Sequence, residues 1–203
     1  MKKLVIIGAG GNARELADML RVFPEFQVLG FLTNTRGKYD SPVLGDFSWP
    51  AAHDVDAFAM GIGDPIAKFR VGQELAMRYP QVEWPLVVHP TAYVGNGVKL
   101  GKGAIVCVRA VATVGVQLGD FSQLNFGCTV GHESVIGAGS LVNPGANGLR
   151  QPLCQIEGEA NPATGIEQQR LPGGDGRKPQ FIGGVPQLSS DARIQTGWCL
   201  QCP

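Results

Sequence analysis

This sequence carries no excess of either charge: 17 Lys and Arg offset 17 Asp and Glu, so the formal net charge is zero at pH 7. That balance argues against a nucleic-acid footprint or a membrane-surface patch, and no basic cluster with interleaved aromatics occurs. Aromatic residues are scarce, at 7%, whereas glycine occurs 29 times, which favours turns and close backbone approaches over a helical bundle. Long apolar runs are absent too. In "MKKLVIIGAGG" the run behind the two lysines covers only residues 4–7, far short of a signal-peptide core or a membrane span, so a cytoplasmic protein is expected. Five cysteines, an odd number at irregular spacing, read as reduced thiols rather than a disulfide framework. The 203 residues suffice for one large domain or two small ones.

What is present begins with "KLVIIGAGGNARELADML", which predicts a buried β-strand, a glycine turn, and a helix with Ala13, Leu16, Ala17 and Leu20 on its apolar face. Asn12 stands where an N-cap is expected. Gly8, Gly10 and Ala13 satisfy G-x-G-x-x-G/A in the strand-turn-helix context that the pattern requires. Bare backbone there, at Gly8, Gly10 and Gly11, lets a phosphate approach the unpaired N–H groups of the helix start. A turn used only for strand-helix packing is the alternative. A second strand, "FQVLGFLTNT", ends in Thr33 and Asn34, without the acid that would hold the ribose of NAD, so NAD is demoted and another nucleotide stays open. A third strand over residues 57–60 runs into "GIGDPIAKFR". It brings Gly61, Gly63 and Asp64 to the carboxyl edge of the same parallel sheet, while Arg70 reads as a solvated surface residue.

The second half carries a six-residue repeat. From Val94 it divides into "VGNGVK LGKGAI VCVRAV ATVGVQ LGDFSQ LNFGCT VGHESV IGAGSL VNPGAN", nine units in succession. First positions are all aliphatic, from Val94 and Leu100 to Ile136 and Val142; fifth positions are small or β-branched; the second is Gly in five of nine. This period fits neither strand alternation nor a helix. It fits a β-helix, in which an aliphatic residue points inward once per short strand, a small one packs near each corner, and residues eighteen apart stack. Within it, "NFGCTVGHES" sets His132 beside Glu133, either as outward-facing turn residues or as a catalytic pair. His89 before Pro90 reads as structural, and His53 receives no role. Only His132 lies within the coils, so a three-histidine metal site of the β-helical carbonic anhydrase kind fails, and no metal is expected.

Taken in order, "VIIGAGGNARELADML", "PVLG", "GIGD", "HPTAYV" and "NFGCTVGHESVIGAGSLVNPGAN" resemble the sugar O- and N-acyltransferases typified by sialic acid O-acetyltransferase and the UDP-4-amino-sugar N-acetyltransferases of bacterial glycan synthesis. The resemblance covers residues 3 to about 147. It implies an α/β plus all-β chain: a Rossmann-like parallel α/β domain over residues 1–88 holding a nucleotide sugar such as a UDP-sugar, then a left-handed parallel β-helix over residues 89–147. It also implies a homotrimer with acetyl-CoA as co-substrate between neighbouring coils. His132 matches the family's catalytic histidine and Glu133 the acid that follows it. A neutral imidazole within reach would take the proton of the attacking hydroxyl or ammonium, and the carboxylate would hold its tautomer. Gly8, Gly10, Gly11, Asn12, Thr33, Asn34, Gly61, Gly63 and Asp64 would line the nucleotide-sugar site.

Three departures stand out. The family has His where this chain has Asn12, and an acidic pair where it has Thr33 and Asn34. Beyond Asn147 the aliphatic ladder stops, and residues 148–203 form a divergent, irregular tail rich in Gln, Gly and Pro, with Arg150 where the family has a glycine. The end, "GGVPQLSSDARIQTGWCLQCP", back-translates so that the frame two nucleotides along reads "RGAAVVIGCPDSNWLVSAVP", close to the family's closing pattern. A frameshift near codon 148 is therefore expected, with a disordered tail the alternative. The C-x-x-C at Cys199 and Cys202, lacking a second pair or a βαβ context, is read as without function. Two further readings stay open: a catalytically impaired nucleotide-sugar-binding protein, and an NAD-dependent oxidoreductase, which lacks both the ribose acid and a catalytic domain.

Overall fold

A computed structural model describes residues 1–39 and 42–147. The tail, with Arg150, Cys199 and Cys202, lies outside the described residues.

The N-terminal part is built from β1 (Lys2–Ile7), α1 (Gly11–Met19), β2 (Phe26–Leu32), β3 (Val43–Gly45), β4 (Ala57–Met60) and α2 (Pro65–Arg78). The four strands are parallel in the order β3-β2-β1-β4, the Rossmann-like arrangement. β1 is central, and its continuous apolar run is what a parallel strand covered on both faces demands. Leu4 and Ile6 pack with Ala13, Leu16 and Met19 on the α1 side. Val5 and Ile7 pack with Val71 and Leu75 on the α2 side.

The second part consists of two-residue strands: β5 (Val87–Val88), β6 (Tyr93–Val94), β7 (Lys99–Leu100), β8 (Ile105–Val106), β9 (Val111–Ala112), β10 (Gln117–Leu118), β11 (Gln123–Leu124), β12 (Thr129–Val130), β13 (Val135–Ile136) and β14 (Leu141–Val142). They form three parallel stacks, β5-β8-β11-β14, β6-β9-β12 and β7-β10-β13, the pattern of a triangular β-helix. Residues eighteen apart are paired, as in Tyr93↔Val111↔Thr129, in agreement with the repeat. First- and fifth-position residues such as Val106, Ala110, Ala112, Val116, Leu124, Cys128 and Val130 fill the axis. The stack starts one strand before the first recognisable hexad, because Val87–Val88 already pairs with β8.

The corners obey a rule that the glycine count did not reveal. Every residue with positive φ between 97 and 145 occupies the fourth hexad position: Gly97, Gly103, Arg109, Gly115, Phe121, Gly127, Glu133, Gly139 and Gly145. Glycine is free to adopt this left-handed conformation, whereas Arg109, Phe121 and Glu133 hold it against a steric cost. The second-position glycines have another reason: a Cβ on Gly101 or Gly119 would lie 2.5 Å from a main-chain atom of the next coil.

The N-terminal part covers one prism face. The outward residues of β5-β8-β11-β14, namely Val87, Ile105, Gln123 and Leu141, are all buried. α2 lies along one corner of that face, so closely that a Cβ on Gly72 would sit 2.7 Å from the Phe121 ring and one on Gly139 2.7 Å from Phe69 Cβ. At the other corner, Cys107 belongs to the core formed with α1.

Candidate functional site

Two groups of predicted residues are separated by the fold. The first gathers at the carboxyl edge of the sheet. Gly8 follows β1 with φ +103, and a Cβ there would lie 3.1 Å from Ile62 and 3.2 Å from Gly61. The turn after β4 is thus pressed against the turn after β1. Gly61 donates to Ile7 O at 2.8 Å and has no room for a side chain, since a Cβ would come within 2.7 Å of Ala13 Cβ and Ile6. Around Gly10 and Gly11, by contrast, a Cβ would meet nothing within 4 Å. The start of α1 is therefore open to solvent, and no acidic side chain in its first turn neutralises its N–H groups.

Asn12 is not the N-cap. That position falls to Gly10, without a side-chain cap, because the helix already begins at Gly11. The Asn12 amide instead donates to Gly61 O at 3.2 Å and pairs with Gln123 of β11. Asp64 caps α2 and accepts from Ala67 N at 2.8 Å. Thr33 and Asn34 follow β2 on the same edge, where Thr33 Oγ1 accepts from Thr35 N and Asn34 Oδ1 accepts from Phe47 N. Arg70 is exposed, as expected. Lys68 reaches this region fully buried, with its ammonium 3.4 Å from Gln123 Oε1. Sequence reasoning passed over it, although positions 65, 68, 71, 72 and 75 form the buried stripe of α2 and Lys68 occupies one of its slots.

The second group is His132 and Glu133. They occupy the corner between β12 and β13, which is the vertex opposite the face covered by the N-terminal part. His132 Nδ1 lies 3.8 Å from Glu133 Oε2, beyond hydrogen-bond reach, with the two side chains 59% and 83% exposed. Glu133 holds φ +60, and its N–H donates to Val114 O of the coil before at 2.8 Å. Beside this corner a shallow groove of about 400 Å³ runs across β7-β10-β13, lined by Lys99, Gln117, Val135 and the stacked Gly101, Gly119 and Gly137. Val114, directly one coil before His132, and Tyr93 on the adjoining face are exposed apolar residues.

The remaining titratable candidates are structural. His89 is buried, shares its Nδ1 with Thr91 Oγ1 at 2.8 Å, and presents an edge to Phe23. His53 is stacked on Trp49. Burial pushes the Cys107 and Cys128 thiols up to about 12. Among the described residues no cluster of His, Cys, Asp and Glu could hold a metal, and no helix is long and apolar enough to cross a membrane.

Comparison with known proteins gives this geometry its context. Residues 3–75 match the PglD N-terminal domain family. The chain is similar to the acetyltransferase domain of PglB from Neisseria gonorrhoeae FA1090, 28% identical with a TM-score of 0.60 over 72% of this chain and 73% of that one. WeeI from Acinetobacter baumannii AYE shares the fold with a TM-score of 0.63 at 19% identity, over 74% of each chain. A variant of perosamine N-acetyltransferase from Caulobacter crescentus, in complex with CoA and GDP-perosamine, shares it with a TM-score of 0.51 at 23% identity, over 75% of this chain and 90% of that one. No curated protein sequence gives a significant match. Together these likenesses give a family match for the N-terminal part and a shared fold for the rest of the described chain.

Proposed function

We propose that a chain so similar to sugar acetyltransferases transfers an acetyl group from acetyl-CoA to an amino or hydroxyl group of a nucleotide sugar, in the cytoplasm, for surface-glycan synthesis. The open N-terminus of α1 and the turns at residues 8–12 and 61–64 would hold the diphosphate through main-chain N–H groups and the helix dipole. Thr33 and Asn34 end the strand beside them and would face the nucleoside. Acetyl-CoA would lie along the glycine-lined groove next to His132.

In the reaction His132, acting as the neutral base, takes the proton from the attacking nitrogen or oxygen as it bonds to the acetyl carbon. The C–S bond breaks, and the imidazolium or water returns a proton to the CoA thiolate. Such base catalysis is worth roughly 10²–10⁴ in rate. Glu133 would favour the imidazolium, closing the 3.8 Å gap when the corner is covered.

The observation that carries this reading is the position of the pair: exposed, at the vertex turned away from its own chain's glycine turns. A nucleotide sugar bound at those turns would therefore be acetylated by His132 of another copy. This favours a self-associated assembly, for which a trimer of left-handed β-helices is our reading, with Val114 and Tyr93 buried between copies. His132→Ala is expected to leave assembly intact and lower thiol release from acetyl-CoA, in the presence of a UDP- or GDP-amino sugar, by at least about 10²-fold. Unchanged turnover overturns the assignment. Nucleotide binding without any thiol release from the unaltered protein favours the impaired binding protein instead.

A further inference from the structure

A buried polar cluster joins the two parts of the molecule through side-chain hydrogen bonds. Gln123 is 2% exposed and Lys68 0%. The lysine has donors and no acceptor, so it requires the Gln123 oxygen and not the nitrogen at 3.4 Å, which fixes which way the amide faces. Gln123 Oε1 then accepts a second bond from Asn12 Nδ2 at 3.1 Å, while Gln123 Nε2 donates to Asn12 Oδ1 at 3.0 Å and to Cys107 Sγ at 3.6 Å. The second Asn12 amide hydrogen goes to Gly61 O at 3.2 Å. A polar chain thus runs from α2, through an outward residue of β11, to the first turn of α1 and on to the carbonyl that opens the second glycine turn.

We propose that Lys68, Gln123 and Asn12 are a positioning network through which the β-helix holds the two glycine turns in the arrangement that binds a nucleoside diphosphate. The inference rests on the nucleotide-sugar reading above. It reassigns Asn12 from ligand to support, because both of its amide hydrogens are committed to the protein. Gly61 has no free space on the Ala13 side, so a shift of its carbonyl displaces both turns together. Gln123, distant in sequence, therefore controls the geometry at Gly8 and Gly10.

The test uses the full chain titrated calorimetrically with UDP and with GDP, beside unfolding midpoints. Gln123→Met keeps the volume and removes the bonds; whichever nucleotide the unaltered protein binds is expected to bind about tenfold more weakly, the loss of one ordered hydrogen bond. Gln123→Glu keeps the acceptor for Lys68 and Asn12 Nδ2 but sets its second oxygen against Asn12 Oδ1 in place of the Nε2 donor, so it is expected to bind nucleotide as weakly as Gln123→Met. Asn12→Ala, at a half-buried site, reports from the other end if Gln123→Met does not fold, and combining the two is expected to weaken binding no further than the stronger single change. Lowered midpoints with unchanged nucleotide affinity overturn the inference alone, because the network is then only structural. Failure of the unaltered protein to bind either nucleotide overturns the site reading and the inference with it.

Discussion

At the residue scale, two glycines on the same sheet edge have opposite tolerances, and the difference separates a packing role from the proposed ligand role. Gly61 is enclosed by Ala13 and Ile6, so Gly61→Ala overpacks the contact between sheet and helix and is expected to cost about 1–3 kcal/mol, read as a lower denaturant midpoint. Gly10 faces open space, so Gly10→Glu is expected to fold with an unchanged midpoint yet lose UDP or GDP binding, because its carboxylate occupies the anion position. The buried thiols make a separate prediction. Cys107 and Cys128 are raised by burial to about 12 from 9.0, so the folded state keeps protons that the unfolded state releases. Their contribution is complete below pH 9 and is lost as pH rises toward 12, at up to roughly 1.4 kcal/mol per pH unit for each thiol. The midpoint should fall across that window, and peptide mapping after iodoacetamide at pH 8 should find both thiols unlabelled until denaturant is added.

At the element scale, the hexad was legible because each coil repeats one local solution. First- and fifth-position residues face the axis by simple period, and the sequence pattern located them without reference to anything outside the repeat. The corner rule was harder to see, because three of the nine fourth-position residues are not glycine. Phe121 is held there by its packing against Gly72 and Trp84. Glu133 has no such enclosure and holds the same conformation with its side chain 83% exposed. Helix starts were legible in part. Asp64 caps α2, and Asp64→Ala is expected to lower stability by about 1 kcal/mol, measured by thermal or urea unfolding. β3, only three residues long, escaped the sequence reading because so short a strand carries no periodicity.

At the scale of the whole molecule, among the described residues one prism face is covered by the N-terminal part and two are not, and the His–Glu pair sits where those two meet. If catalysis joins the glycine turns of one copy to His132 of another, two inactive proteins should complement each other. Co-refolding His132→Ala with Gly10→Glu is expected to restore roughly a quarter of the thiol release in random assemblies, whereas either alone gives none; no restoration would place both functions in one chain.

Local repetition in the sequence encodes the strand, glycine turn and helix of the first half and the stacked hexads of the second. A period or a turn motif is read within a few residues, so no partner elsewhere in the chain is needed to recognise it. Pairings between distant, non-repeating positions come from the three-dimensional packing. Lys68 to Gln123 and Asn12 to Gln123 join residues 55 and 111 apart, and nothing periodic connects them. The same holds for which prism face is buried: Ile105, Gln123 and Leu141 resemble any outward hexad residues until the N-terminal sheet and helices close over them, and that closure leaves His132 on the far vertex.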